Sequence, residues 1–200
     1  HAVTVTHSLF LLIHTTLETK QWLSPLEVLA ALLAAIGHDV GHDGVNNAYH
    51  VQSSSNLAME YNDTSVLENY HARTTFALLN QTRLLAPLSK ADHAHVRELV
   101  IACILGTDMA LHSATLAQLQ KLNDEGGFVQ LSKDPVQRKF AIKVLLHSAD
   151  LYNPWKPFDV ARTWAVYIVD EFKHQVELEK QAGMDQTIPQ PMLGTTDKEL

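Results

Sequence analysis

The sequence predicts an all-α protein, and three observations support this fold class. Apolar residues recur with helical periodicity along most of the 200 residues, whereas the strict alternation that indicates strands is almost absent. Two segments join a capping residue to a proline, which is typical of helix starts. No Asn-Gly or Asp-Gly turn lies between alternating apolar residues. We therefore expect about eight helices in a single domain.

The helix starts are clearest where a capping residue precedes a proline. The segment Ser24-Pro25-Leu26-Glu27 supplies an N-cap serine, an N1 proline and a capping-box glutamate, and opens a helix that runs to about Gly37. This helix is apolar on nearly every side, which predicts a buried central position. Asp134-Pro135-Val136-Gln137 repeats the pattern and starts a helix to about Asp150. The other helices are expected at residues 1–16, 47–61, 64–80, 90–105, 108–122 and 158–182.

The last predicted helix is long and amphipathic. It follows a rigid turn that Asn153–Pro157 forms with its two prolines. Residues 183–200 are expected to be irregular. The side chains expected on the inward face of the last helix are Val160, Trp164, Tyr167, Ile168 and Phe172.

Composition and charge exclude several classes of protein. The chain is 46% hydrophobic and 18% charged, which is typical of a folded globular protein. Its net charge of −7 and its lack of a basic run argue against nucleic acid as the main partner. The single cysteine, Cys103, excludes a disulfide framework. The longest apolar run, Val28–Gly37, is about half of a membrane span. With no transmembrane or secretory segment, we expect a cytoplasmic location, or the cytoplasmic face of a membrane.

Twelve histidines in 200 residues indicate that several bind metal. The buried helix predicted to end near Gly37 is followed directly by His38 and Asp39, and His42 comes four residues after His38. In a continued helix, His38 and His42 would share one face. An aspartate beside a histidine inside a protein is costly unless it is paired or binds metal. Imidazole suits zinc, and a carboxylate can bridge zinc to a harder ion such as magnesium.

Further ionisable side chains lie at the starts and ends of predicted helices. Glu68 and His71 are spaced by three residues, and Asp108 and His112 by four. Because so many ionisable groups in one core are better explained by a site than by packing, we expect them to converge. Two more candidates lie at the chain start and at a helix end: His1 and Asp150.

The segment His38–Tyr49 matches the pattern H-D-x-x-H-x-G-x-x-N-x-[F/Y], and here the chain resembles the class I cyclic nucleotide phosphodiesterases. These enzymes belong to the wider HD-domain metallohydrolase superfamily. The resemblance covers nearly the whole chain in the right order. Residues 61–69 resemble Y-N-D-x-S-V-L-E-N, residues 107–109 T-D-M, residues 147–157 H-x-A-D-[LI]-x-N-P-x-[KR]-P, and residues 171–184 E-F…E…G-[ML].

The resemblance implies a helical bundle with two divalent metals at the bottom of a central pocket. It implies zinc at the first site and magnesium or manganese at the second, with Asp39 shared between them. The implied metal ligands are His1, His38, Asp39 and Asp150; the residues that hold metal-bound water are His42, Glu68, His71 and Asp108; and those that contact substrate are Asn153 and Met109. Asp39, His42 and Glu68 form the implied catalytic set.

The implied activity is hydrolysis of cAMP or cGMP to a 5′-nucleoside monophosphate by a hydroxide between the metals, in second-messenger signalling. Two alternatives stay open: another HD-domain phosphohydrolase, or a degenerate module that binds nucleotide or metal without turnover. Thr4 and Gly41, where the family usually has aspartate, support the second alternative.

The chain is expected to be a fragment of a longer protein, because it begins at His1 already in helical periodicity. The resemblance implies an upstream proton-donating histidine and a downstream helix with a purine-binding glutamine, both outside this partial catalytic domain of residues 1–200. We also expect flanking regulatory domains, and the sequence gives no preference for an oligomeric state.

Overall fold

The computed structural model describes residues 1–15, 22–126 and 133–194. All regular elements within these ranges are helical, which confirms the predicted fold class. The α-helices are α1 (Ala2–Thr15), α2 (Pro25–Gly37), α3 (Asn47–Gln52), α4 (Asn56–Glu60), α5 (Val66–Thr82), α6 (Lys90–Leu105), α7 (His112–Asp124), α8 (Pro135–Asp150) and α9 (Phe158–Gln181). Short 3-10 helices lie at Met109–Leu111, Asn153–Trp155 and Gln190–Leu193.

The described residues group into two compact units. The first unit contains His1–Gly41 and Glu68–Leu151, and the second contains His42–Leu67 and Tyr152–Leu200. Helix α5 therefore begins in the second unit and continues in the first. Two sequence-based predictions lie partly outside the described residues. They are the irregular segment, at residues 195–200, and the end of the first helix, at Thr16.

The core of the first unit is built around α2. This helix packs against α1 and α6, and α8 packs against the same two helices. Four alanines on α2 are completely buried, and their small side chains let the neighbouring helices approach closely. They are Ala30, Ala31, Ala34 and Ala35. The prediction of a buried central helix is confirmed, and the packing fixes the residue that follows α2, His38, inside the unit.

The predicted capping box at the start of α2 is present. The Glu27 backbone N–H donates to Ser24 Oγ at 3.2 Å, and the Ser24 backbone N–H donates to the Glu27 carboxylate at 2.7 Å. The carboxylate of Glu27 is buried and also accepts a hydrogen bond from Arg138 Nε on α8 at 2.9 Å. One acidic side chain thus caps α2 and joins it to α8.

The single helix predicted over residues 47–61 is wrong, because the chain breaks at three serines. Helix α3 ends at Gln52, and Ser54 has a φ of 50° that a helix does not accommodate. Ser55 then caps α4 by accepting a hydrogen bond from the Ala58 N–H at 3.1 Å. Serine side chains that bond the nearby backbone compete with a continuous helix, which explains the break.

The inward face predicted for α9 is wrong at three of its five residues. Val160, Tyr167 and Ile168 are exposed, whereas Trp164 and Phe172 are partly buried. The fully buried positions lie further along the helix, at Gln175, Val176 and Glu179. These two polar side chains bond to each other and to neighbours within the second unit. Apolar periodicity cannot detect a buried face whose contacts are hydrogen bonds.

Single helices within the described ranges are too short or too polar to cross a membrane. The apolar helices α1 and α2 have 14 and 13 residues. The pair Lys90–Leu105 and Met109–Asp124 meets the length and composition requirement only jointly, and it is bent by 81° at its break.

Candidate metal centre

Three predicted metal ligands meet in the first unit, each from a different helix end. His1 precedes α1, His38 follows α2, and Asp150 ends α8. Asp150 Oδ1 lies 2.7 Å from His1 Nε2 and 3.2 Å from His38 Nε2. One ligand atom from each residue lies within 4.8 Å of the others, and we call these three residues the metal cluster. Across the described ranges, they form the one such group of three or more His, Cys, Asp or Glu side chains.

The orientation of the His38 ring is fixed by the backbone. His38 is fully buried, and its Nδ1 lies 2.8 Å from the Ala35 carbonyl oxygen. Because a carbonyl can only accept a hydrogen bond, Nδ1 carries a proton and donates it there. Nε2 is thereby directed at the carboxylates, which is the arrangement that outer hydrogen bonds give to metal-binding histidines.

The electrostatics of His38 are set by opposing effects. Burial lowers its pKa, but hydrogen bonds to Asp150 and then Asp39 outweigh burial and raise the pKa to about 10. A divalent cation bound to Nε2 would compete with a proton there, because metal binding requires the unprotonated nitrogen.

Asp39 lies beside the metal cluster on its accessible side. Its Oδ2 is 3.3 Å from His38 Nε2 and 3.8 Å from His1 Nε2. The Asp39 side chain is 38% exposed, whereas that of His38 is 0% exposed. The four side chains supply two imidazoles and two carboxylates. This donor set fits zinc, and its carboxylates also suit a harder cation such as magnesium.

The other residues predicted to hold water lie in the first unit, with one exception. His71 is buried on α5, and its Nδ1 donates to the Val40 carbonyl oxygen at 2.9 Å. Glu68 lies near the start of the same helix and is partly buried. Asp108 is buried and accepts a hydrogen bond from the Ala110 N–H at 2.9 Å. The side chain next to it, Met109, is exposed.

The exception, His42, lies in the second unit together with Asn153. His42 is exposed, and its Nδ1 accepts a hydrogen bond from the Gly44 N–H at 3.0 Å. Asn153 is partly buried and accepts one from Lys156 Nζ at 2.5 Å. The argument that His38 and His42 share a helical face is wrong, because α2 ends at Gly37 and the chain then turns. The roles of His42 and Asn153 stay predictions.

Some contacts of the site have no signal in the sequence. Backbone acceptors such as the Ala35 carbonyl cannot be identified from residue type. His112 and His147 form a pair, with Nδ1 of the first 2.8 Å from Nε2 of the second, although 35 residues separate them. Burial, and then His112, lower the pKa of His147. Their pairing depends on how α7 and α8 pack, which local patterns do not contain.

Comparison with known sequences gives a match along the chain. The family described as 3′5′-cyclic nucleotide phosphodiesterase matches residues 1–199. The chain is 36% identical over 187 residues to the dual specificity calcium/calmodulin-dependent 3′,5′-cyclic nucleotide phosphodiesterase 1 of Drosophila melanogaster. It is 38% identical over 191 residues to the 3′,5′-cyclic-AMP phosphodiesterase, isoform F, of the same organism. Each alignment covers 92% of this chain but only 22% and 29% of the relatives.

A solved structure gives the same result. The phosphodiesterase domain of the Salpingoeca rosetta rhodopsin phosphodiesterase superimposes with a TM-score of 0.93 at 40% identity. The superposition covers 98% of this chain and 59% of that domain. The sequence matches and the structural superposition therefore indicate the same family over almost all of the chain. The chain spans only part of the length of each relative.

Proposed function

Because the chain belongs to the 3′5′-cyclic nucleotide phosphodiesterase family, we propose that it carries the metal-binding part of an enzyme that hydrolyses 3′,5′-cyclic nucleotides. The observation that carries the proposal is the convergence of His1, His38 and Asp150, with the Asp39 carboxylate beside them. The relatives are named for cAMP or for dual specificity, so cAMP and cGMP are both proposed substrates. The proposed role is in second-messenger signalling.

The proposed cofactors are two divalent cations. His1, His38 and Asp150 would hold the first, for which their nitrogen and oxygen atoms favour zinc. Asp39, with its more exposed carboxylate, would be shared with the second, proposed as magnesium or manganese. Cations bound at such a site lower the pKa of water and neutralise charge on phosphate oxygens.

The residues of the chain prepare this chemistry. The hydrogen bond to the Ala35 carbonyl orients the His38 ring so that Nε2 faces the carboxylates. Asp150 lies within hydrogen-bond distance of both imidazoles. The overall reaction adds water to phosphorus and breaks the P–O3′ bond. The oxygen of water and one of its protons stay with the 5′-monophosphate, and the other proton goes to the ribose 3′-oxygen, which leaves as a hydroxyl.

The remaining predicted roles form part of the proposal. His42, Glu68, His71 and Asp108 would hold metal-bound water, with Asp39, His42 and Glu68 as the catalytic set. Substrate contacts are proposed for Asn153 and Met109. The buried, single Cys103 is compatible with the proposed cytoplasmic setting. Flanking regulatory domains are proposed for the rest of the protein.

The test is hydrolysis of cAMP and cGMP by the full-length protein that carries this chain. It compares the wild type, the wild type with chelator, and Asp150→Ala. We expect chelator to abolish turnover and Asp150→Ala to lower it by more than about 100-fold, since even residues that only support a metal ligand contribute 10–100-fold. Asp124→Asn, at the exposed end of α7, is the matched control and should leave turnover unchanged.

The same experiment separates the alternatives. A folded, metal-loaded wild type without turnover of either nucleotide would overturn the enzymatic function and support a metal- or nucleotide-binding module. Turnover that persists in chelator would contradict the metal-dependent mechanism. The nucleotide that is hydrolysed faster gives the selectivity.

A further inference from the structure

The segment that carries His38 and Asp39 is a turn outside any helix. Helix α2 ends at Gly37, and residues 37–41, which we call the ligand turn, lead from it to Gly41 with a φ of 75°. Within the turn, the Val40 N–H donates to the Gly37 carbonyl oxygen at 3.1 Å. Side chains of α5 add further contacts to the same turn.

Thr75 on α5 binds the start of the ligand turn. Its hydroxyl donates to the Gly37 carbonyl oxygen at 3.1 Å, and both groups are buried. The Gly37 carbonyl thus accepts two hydrogen bonds, one from Val40 and one from Thr75. A side chain at position 37 would collide with the Thr75 hydroxyl, so the contact requires glycine there.

Tyr70 contacts the other end of the ligand turn. A Cβ atom at position 41 would lie 3.0 Å from Cε1 and from Oη of Tyr70, so the ring occupies the space beside Gly41 that a side chain would need. The left-handed conformation of Gly41 is also one that glycine adopts at no steric cost. Between these two contacts, His71 donates to the Val40 carbonyl oxygen at 2.9 Å.

We infer that Thr75 and Tyr70 are positioning residues for the metal site, an inference that rests on the proposed function of that site. Together with His71, they hold the ligand turn at positions 37, 40 and 41, on both sides of His38 and Asp39. All of these residues belong to the first unit. Metal coordination tolerates deviations of only about 0.2 Å, so a turn that can shift presents its ligands poorly.

The test is the zinc affinity of the full-length protein, measured by competition with a chromophoric chelator in the absence of nucleotide. Thr75→Val keeps the size and branching of the side chain and removes the hydroxyl. Thr75→Ser keeps the hydroxyl and is the matched control. We expect zinc affinity to fall about 10-fold in Thr75→Val and to stay within about twofold in Thr75→Ser, as for other residues that orient metal ligands.

A second pair of variants tests the ring contact. Tyr70→Phe retains the ring on Gly41, and we expect its zinc affinity to remain within about twofold of the wild type. Tyr70→Ala removes the ring and should weaken zinc binding by several-fold. The rise in Tm on zinc addition is measured alongside. A role in folding alone would lower the Tm of the metal-free and zinc-bound forms equally and leave that rise unchanged.

Unchanged zinc affinity in both Thr75→Val and Tyr70→Ala would overturn the inference, whatever the activity. Weaker zinc binding with hydrolysis restored at saturating zinc would support it. A wild type that binds zinc but hydrolyses no cyclic nucleotide would contradict the proposed function only, because the affinities are measured without nucleotide.

Discussion

Two carboxylates, the partly buried one of Asp150 in the first unit and the fully buried one of Glu179 in the second, differ in the partners that surround them. Asp150 faces the imidazoles of His1 and His38. Glu179 accepts hydrogen bonds from the Thr187 N–H at 3.1 Å, the Thr187 hydroxyl at 2.5 Å and the Gln175 amide at 2.8 Å. Burial raises the pKa of Glu179, but hydrogen bonds from Thr187 and Gln175 outweigh burial and hold it below its ordinary value.

The difference shows which buried polar groups indicate a binding site. The donors to Glu179 are amide and hydroxyl groups that keep their protons at any ordinary pH, so the carboxylate is satisfied and has no reason to bind a cation. The donors to Asp150 are imidazole nitrogens, which can exchange a proton for a metal. Burial of a carboxylate alone therefore does not identify the site, whereas the chemistry of its donors does.

The largest expected effect is on zinc binding by Asp150→Asn. The change keeps the size of the side chain but removes the charge that faces both imidazoles, so we expect zinc affinity to fall by more than about 100-fold. Isothermal titration with zinc on the metal-stripped protein measures it. Zinc affinity within tenfold of the wild type would contradict the difference between the two carboxylates, because Asp150 would then, like Glu179, have no role in metal binding.

Glu27 is a second carboxylate in the first unit and allows a closer comparison. Like Glu179, it accepts hydrogen bonds from groups that keep their protons, here the Ser24 N–H and Arg138. Burial raises the pKa of Glu27, but the Ser24 N–H and then Arg138 reverse this and lower the pKa. We expect Glu27→Gln to reduce the free energy of unfolding by about 3 kcal/mol, since it removes the buried carboxylate that forms an ion pair with Arg138 at 2.9 Å. Zinc affinity should not change. Urea unfolding at neutral pH measures the loss.

The stabilisation by Glu27 has a defined pH dependence. Because its pKa is lower in the folded chain, the contribution is complete above the unfolded value of about 4.3 and is lost as pH falls through the folded value. The stabilities of wild type and Glu27→Gln should therefore converge only in acid, below about pH 4. The exposed control Glu125→Gln should not show this pH-dependent difference in stability from the wild type. Convergence of the stabilities of wild type and Glu27→Gln near neutral pH would contradict the role assigned to Glu27.

The sequence predicted the parts of this molecule whose causes are local. The start of α2 followed from Ser24 and its proline, because a cap acts on the next few residues. His38, Asp39 and Asp150 were identified as candidates from the segments that contain them. The distances of 2.7 Å from Asp150 to His1 and 3.2 Å from Asp150 to His38 could not be predicted, since they depend on how α1, α2 and α8 pack.

Two of the incorrect predictions, the single helix over residues 47–61 and the inward face of α9, share one physical cause, hydrogen bonds made by polar side chains. Ser55 caps α4 and breaks a helix that apolar spacing had extended. Gln175 bonds the Asn46 backbone and gives α9 a buried face that is polar. Hydrophobic periodicity registers neither effect, because it measures only the transfer of apolar surface from water.

The smallest expected effect is the most direct test of the contrast between Asp150 and Glu179. Glu179→Gln replaces one of the two carboxylate oxygens by an NH2 group. Because the donors of Thr187 and Gln175 face these oxygens, at least one buried donor then loses its acceptor. We expect the free energy of unfolding to fall by about 2 kcal/mol. Zinc affinity should stay within twofold, because Glu179 supplies hydrogen bonds within the second unit and no ligand to a cation. Urea unfolding and zinc titration on one preparation measure both quantities. A loss of zinc affinity with unchanged stability in Glu179→Gln would contradict the roles assigned to the two carboxylates. It would mean that Glu179, and not only Asp150, contributes to metal binding.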